Sequence, residues 1–413
     1  MGSKVVFLLE IPTNFGDPTR FGFEELVAAG LEPVIWDLSP IYLPHLIQSE
    51  FTPPPGVKAN LVLSARALGQ LVDTLTSTDT IILVGASAES KVWKWRRNLE
   101  ILFAGRARIA ALAFGAVPIV ANEPDTQSWI NRIKRRVRAL RKKPSIYKDW
   151  LFRLWERLLI KSHFLRSRLV PKWELNYVWA GTYAEEISPL IIGPQTNVKY
   201  IHELDYDQVL RESSKPLEEC DYMVFLGFGG QDSDILKIKN TMQPEKKAEH
   251  LSRFFDKIEG VTGMPVIIAS HPRSKPGRFE PFYGDRPIRY HETAHLISRA
   301  RLVLCANDST AISLVAAFGR PMLMVSSRYF DESQTKVCQM MKRLLGVSTL
   351  YAEEEIEQFD WPEVDDCLYS AYFHEFVKRP GTPEIPFWRS VAQDINYENR
   401  TRSLSDECIR GVD

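Results

Sequence analysis

Four places in this chain bring together residue types that could do chemistry. They are Asp232 with Asp234, His271 with Arg273, the run Asn307-Asp308-Ser309-Thr310, and Ser326. A carboxylate can act as nucleophile or base, and a histidine can give or take a proton near neutral pH. An arginine adds a fixed positive charge. Hydroxyls at the start of a helix, beside its free N–H groups and the positive end of its dipole, suit a phosphate. The chemistry implied is the holding of a phosphate-linked substrate and the stabilising of charge as a phosphate departs.

Each cluster follows a short apolar run of the kind that makes a buried strand. Tyr222–Leu226 leads into Gly227-Phe228-Gly229-Gly230-Gln231-Asp232, where glycines let the backbone turn sharply and approach a ligand. Met264–Ala269 delivers Ser270-His271-Pro272-Arg273, and Leu302–Ala306 delivers Asn307–Thr310. A helix is predicted over Ala311–Phe318, stopped by Gly319, and Met322–Val325 leads to Ser326 and Ser327. The clusters therefore fall at the C-terminal ends of strands, the edge where open α/β sheets bind ligands. Each also has a plainer reading. Ser309, Thr310 and Asp232 could be helix caps, and His271-Pro272 could be a turn.

The N-terminal half alternates in the same way. Strands are predicted over Lys4–Glu10, Glu32–Asp37, Thr80–Val84 and either Arg108–Ala113 or Val117–Val120. Helices are predicted over Pro18–Gly30, with Asp17 as N-cap, then Leu61–Leu75 and Ala88–Ala104. Tyr177–Gly181 and Val198–His202 read as the last strands before a linker near Asp205–Glu218. Alternating strands and helices mean parallel sheets covered on both faces. Glu10, at the end of the first strand, is the acceptor-side carboxylate and a candidate base. The expected fold class is α/β, two Rossmann-like domains facing across a cleft: residues 1–205, an acceptor-binding half, and residues 206–413, a donor-binding half with C-terminal helices.

A length of 413 residues allows two full cores, and 45% hydrophobic with 25% charged residues is ordinary for a globular chain. Five scattered cysteines without a CxxC argue for reduced thiols and against a zinc site. There is no GxGxxG on the first strand–helix turn and no GxxxxGK[ST], so neither a dinucleotide nor a P-loop nucleotide is expected. Asp232-Ser233-Asp234 has the spacing of a metal-binding DxD but opens a helix, so no metal site and no cofactor are expected. No apolar run reaches the roughly 18 residues that span a bilayer. Net charge is zero, yet residues 131–172 carry 15 Lys and Arg against two acids, leaving 37 basic and 50 acidic residues elsewhere. Within that segment Trp150, Leu151, Leu154, Trp155, Leu158 and Leu159 make an apolar stripe beside Arg153, Arg157 and Lys161. An anionic membrane surface is the expected partner, or else the stripe simply packs on the domain. Nucleic acid is not expected, because the rest of the chain is acidic. The expected location is cytoplasmic, at the inner face of the cytoplasmic membrane.

Gln231-Asp232-Ser233-Asp234-Ile235, His271-Pro272, and Asn307-Asp308-Ser309-Thr310-Ala311 with Gly319-Arg320-Pro321 together resemble the bacterial retaining β-Kdo transferases. These are GT-B glycosyltransferases of capsule and O-antigen assembly that use CMP-Kdo. The His-Pro and Ser/Thr elements are shared with bacterial sialyltransferases. The resemblance covers about 110 residues and departs at Asp234, where the family pattern has Ser. It implies a GT-B-like glycosyltransferase that transfers Kdo from CMP-Kdo to a glycan acceptor, which could be lipid-linked. Retention would run through a covalent Asp232 intermediate, with His271 and Glu10 as further catalytic groups. Gly229, Gly230, Gln231, Arg273, Asn307, Ser309, Thr310 and Ser326 would line the donor site. A donor with one bridging phosphate does not require a metal. Two other readings remain at this stage: an inverting sialyltransferase-like enzyme with Glu10 as base, and a non-catalytic, membrane-attached polysaccharide assembly protein.

Overall fold

The computed structural model describes residues 2–9, 21–38, 40, 56–84, 106–113, 175–182, 194–216, 220–227, 244–270, 283–306, 309–328 and 332–410. Two sheets form the frame, and every strand pair in both is parallel. The first sheet contains β1 (Lys4–Leu9), β2 (Glu32–Asp37), β3 (Lys58–Leu61), β4 (Thr80–Val84), β5 (Arg108–Ala113), β6 (Tyr177–Ala180) and β7 (Asn197–Tyr200), in the order β3-β2-β1-β4-β5-β6-β7. The second contains β8 (Cys220–Leu226), β9 (Val266–Ser270), β10 (Ile288–Tyr290), β11 (Ala300–Cys305), β12 (Met322–Ser326) and β13 (Thr349–Tyr351), in the order β10-β9-β8-β11-β12-β13. Each sheet runs outward from its first strand one way and then the other, which is the Rossmann-like, doubly wound arrangement. The two-domain α/β expectation is met.

The strands are nearly continuous apolar runs because both faces are covered. On β1, Val5, Phe7 and Leu9 join one core with α1 (Phe23–Ala28), while Val6 and Leu8 join another with α2 (Ala65–Val72). On β8, Met223 and Phe225 face α4 (Pro244–Thr262) through Leu251, Phe254, Phe255 and Ile258. Val224 and Leu226 face the other way. There they meet α3 (Tyr206–Ser213), α5 (Thr293–Arg299), α6 (Ala311–Phe318), α7 (Glu332–Leu345) and α8 (Asp366–Tyr372). A π-helical turn, Phe373–Val377, continues α8 into the same core.

The last helix, α9 (Phe387–Arg410), follows the second sheet in sequence but packs on the first. Phe387, Trp388, Val391, Ala392 and Ile395 lie with Phe7, Leu26 and Trp179. Polar ties add to the apolar face. Asp394 accepts from Trp179 Nε1 at 2.9 Å and Lys199 Nζ at 2.8 Å, and Asn396 Nδ2 donates to Ala29 O at 3.0 Å.

This packing explains one difference from the sequence reading. The first helix does not reach back through Gly22, which sits at φ 56 as the N-cap residue of α1. A Cβ there would lie 1.9 Å from Trp388 Cγ, so the close approach of α9 requires glycine and the helix begins after it. The expected linker Asp205–Glu218 instead holds α3, whose Tyr206 and Val209 are buried in the second core. Leu61–Leu75 divides into the end of β3 and α2, where Ser64 Oγ caps the helix by accepting from Ala67 N. The expected elements Ala88–Ala104, Val117–Val120 and Trp150–Lys161 lie outside the described residues.

Candidate functional site

The strand order sets a switch point in each sheet, between β1 and β4 in the first and between β8 and β11 in the second. In the second sheet the helices that follow the two central strands lie on opposite faces, α4 on the Met223 side and α6 on the Val224 side, which opens a crevice at the carboxyl edge. In the second sheet that edge is level: Ala269, Leu226, Cys305 and Met324 stand in one paired row across β9, β8, β11 and β12. The polar clusters singled out in the sequence begin within a few residues of this row.

Gly227 is the first residue past β8. Its N–H donates to Ala269 O at 2.9 Å, and a Cβ on it would also stand 2.9 Å from that oxygen. Close contact with the β9 backbone therefore requires this glycine, whatever binds beyond it. Gly229, Gly230, Gln231 and Asp232 lie outside the described residues, as do His271, Arg273, Asn307 and Glu10. The structure thus describes three of the residues expected in the site: Ser309, Thr310 and Ser326.

Ser309 and Thr310 open α6 directly after β11, on one side of the switch point. Ser309 Oγ accepts from Ala311 N at 3.2 Å, and its carbonyl accepts from Ile312 N at 3.0 Å. Thr310, the N-cap residue, has helical backbone angles and makes no side-chain cap bond. The two hydroxyls therefore differ: one satisfies the helix start and the other is not used by it. The first turn of α6 holds no acid that would oppose an anion at its positive end.

The helix is well anchored. Every residue of AISLVAAF but Ser313 is apolar, and Ile312, Leu314 and Val315 are buried. Gly319 closes it at φ 61, with Gly319 N donating to Ala316 O and Arg320 N to Val315 O. Buried Ser313 is hydrogen-bonded to Tyr372 of α8, whose hydroxyl burial pushes far above its ordinary range. Gln334 Nε2 of α7 donates to Ala306 O at 3.3 Å and so holds the exit from β11.

Ser326 is differently placed. It is buried at the end of β12 and hydrogen-bonded to Cys338 of α7, whose thiol burial pushes up. Ser327 Oγ donates to Glu353, and Arg328 N donates to Glu353 Oε2 at 3.4 Å. Glu353 and Gln334 were not foreseen as part of this edge. The available signal for Glu353 was the short run Thr349–Tyr351 ahead of the acidic stretch Glu353–Glu355, a strand end like the others. Nothing in the sequence marked Gln334.

In chemical terms, the described edge offers a helix start with a hydroxyl unused by capping, beside a crevice fixed by strand order. Among the described residues, no helix is long and apolar enough to cross a membrane. No family model matches the sequence, and no curated protein is similar to it. Among solved structures, the chain is similar to UDP-GlcNAc 2-epimerase from Methanocaldococcus jannaschii, at 12% identity over 95% of this chain and 99% of that one, with a TM-score of 0.40. It is similar also to a UGT transferase from Siraitia grosvenorii in complex with UDP, at 11% over 96% and 99%, TM-score 0.44. A third is CalG4, the calicheamicin glycosyltransferase, at 13% over 99% and 98%, TM-score 0.39. Likenesses this faint decide nothing about activity, and the fold rests on the two sheets themselves.

Proposed function

We propose that this chain is a glycosyltransferase that moves Kdo from CMP-Kdo to a glycan acceptor in bacterial surface polysaccharide synthesis, with retention of configuration. One observation carries the reading. The Ser309-Thr310 helix start follows β11 at the switch point, and Gly227 directly follows β8, the strand paired with β11 there. A sugar nucleotide with a single phosphate needs a positive helix end and hydroxyl donors there, and no metal.

In the proposed reaction the Asp232 carboxylate attacks the anomeric carbon of Kdo. The bond from that carbon to the phosphate oxygen breaks, and its electrons leave with CMP. The α6 N-terminus, Thr310 and Arg273 stabilise the departing charge, and His271 supplies a proton to it. An acceptor hydroxyl then displaces Asp232, giving up its proton to a base, for which Glu10 is the candidate. Gly229, Gly230, Gln231 and Asn307 complete the donor site. The first domain takes the acceptor, and the basic segment 131–172 holds the protein against the anionic inner face of the cytoplasmic membrane.

Calorimetry with CMP, CDP and UDP tests the donor class. CMP should bind and UDP should bind much more weakly; a preference for UDP removes the CMP-sugar reading. Transfer from CMP-Kdo, with the anomeric configuration of the product read by NMR, tests the rest, and an inverted product removes the covalent step.

A further inference from the structure

The helix start that carries Ser309 and Thr310 is braced from behind. Ser313, in the first turn of α6, is buried and hydrogen-bonded to Tyr372, the last residue of α8. One turn earlier on α8, the Tyr369 hydroxyl donates to Arg320 O at 3.1 Å, just past the end of α6. Residues three apart on a helix share a face, so two buried tyrosines of α8 hold α6 at both ends. Main-chain bonds tie the start together: Ile312 N donates to Ser309 O and Ser313 N to Thr310 O, each at 3.0 Å. Moving Ser313 therefore moves Thr310.

Directly after Tyr372 the chain widens into the π-helical turn Phe373–Val377, closed by Lys378 N donating to Phe373 O at 3.0 Å. Such wide turns are rare and recur at functional sites. Phe376 and Val377 are buried in the same core as Ile312 and Val315 of α6. The far end of the turn meets the first domain. Val377 O accepts from Glu203 N at 2.7 Å, in the segment that joins β7 to α3. Two residues on, Arg379 donates through Nε and Nη2 to Thr182 O at 3.0 and 2.6 Å, and its guanidinium lies 3.5 Å from the centre of the Tyr200 ring. Thr182 follows β6 and Tyr200 ends β7, so both stand at the carboxyl edge of the first sheet. Burial pushes the Tyr372 hydroxyl far above its ordinary range, and the Glu203 carboxylate adds to the push. Glu203 is thus near the tyrosine as well as bonded to Val377.

We infer that the π-helical turn is a strut coupling the start of α6 to the crossing between the sheets, with Tyr372 as its positioning residue. The inference rests on the proposed seat of the donor phosphate at Ser309 and Thr310. A phosphate drawn to that seat stiffens the first turn of α6. Ser313 passes the change to Tyr372, and the turn carries it to the bond between Val377 and Glu203. By linkage the coupling is reciprocal, so the arrangement of the crossing also sets the affinity for the donor.

The probe is CMP, and the readout is amide hydrogen exchange of the full chain, followed by NMR with and without CMP at one pH. Rates are taken relative to the amides of β1, which report the general stabilisation that any ligand gives. In the wild type CMP should slow Ile312 and Ser313, and also Glu203 and Lys378. The second pair should slow by roughly fivefold or more, the low end of ordinary coupling between sites. Tyr372→Phe removes one hydroxyl and keeps the ring. It should preserve the slowing at Ile312 and Ser313 while Glu203 and Lys378 lose most of theirs. Lost stability alone would not give that pattern, because it speeds exchange with and without CMP alike. CMP that slows the α6 amides of the wild type and leaves Glu203 and Lys378 unchanged overturns the inference, and the donor seat stands. CMP that slows none of the four removes the donor seat and the inference with it. A Tyr372→Phe variant that passes on the slowing in full overturns Tyr372 as the link. The wild-type comparison decides the coupling even if Tyr372→Phe does not fold.

Discussion

Ser309 and Thr310 are adjacent hydroxyls at the start of one helix, and the structure assigns them different work, so their removal should have opposite signatures. Ser309 Oγ accepts from Ala311 N at 3.2 Å. Ser309→Ala removes a capping bond, and losing such a bond typically costs about 1 kcal/mol of stability. Thr310 makes no cap bond. Thr310→Val keeps the branched shape and the helical backbone, so stability should change by no more than about 0.5 kcal/mol. If Thr310 instead donates to the phosphate of CMP, the lost bond is to a charged group and is worth roughly 1.5–3 kcal/mol. That corresponds to a fall in affinity of roughly ten- to a hundredfold. The assay is urea unfolding followed by circular dichroism, paired with calorimetric titration by CMP on the same preparations. Ser309→Ala should move the first readout and Thr310→Val the second. If Thr310→Val binds CMP like the wild type while remaining stable, the phosphate is not at this helix start and the donor-site assignment fails. If Ser309→Ala is as stable as the wild type, the capping argument fails.

Four further outcomes are expected. Asp232→Asn should fold and bind CMP while losing several orders of magnitude in turnover, because the displacement would lose its covalent route; near wild-type transfer by a stable variant would rule out the nucleophile. Replacing Arg135, Arg136, Arg141 and Lys142 by Ser should weaken sedimentation with anionic liposomes, and the difference should shrink with salt, since exposed charges are screened over roughly 8–10 Å at physiological ionic strength. Wild-type protein that ignores such liposomes at low salt would remove the membrane partner. Gly22→Ala should cost roughly 2–5 kcal/mol, from a left-handed backbone and overlap with Trp388, and much less in a Trp388→Leu background. Additive urea-unfolding values for that pair would show that the overlap is not the cause. Burial pushes the hydroxyls of Tyr206 and Tyr222 up from 10.0 to about 12. The fold favours their neutral forms, so the stability they contribute is complete below pH 10 and is lost as the pH rises toward 12; a flat thermal-melting profile over that interval would contradict it.

The parts of this fold that were legible in the sequence are those where one local signal sufficed. A strand buried on both faces is a run of apolar residues, and Glu32–Asp37 and Thr80–Val84 were read to the residue. Ala311–Phe318 was equally plain, because glycine stops helices for a backbone reason that does not depend on the neighbours. The edge strands β3, β10 and β13 were missed because three or four residues at a sheet margin carry neither a long run nor a clear alternation. At the site, sequence order could bring Ser309 and Thr310 to a strand end, but only packing separates the capping hydroxyl from the one left over. The same limit governs α9. Phe387, Trp388, Val391, Ala392 and Ile395 recur at helical spacing, so the sequence states that one face is buried. Spacing carries no label for the surface that the face will meet. Here it meets the first sheet, nearly four hundred residues back along the chain, and the matching signal was there too: a glycine at position 22 where a helix former would otherwise stand. Neither half of the contact was read from the sequence, where position 22 fell inside a predicted helix, and what joins them is shape, since a tryptophan ring fits only where a side chain is missing.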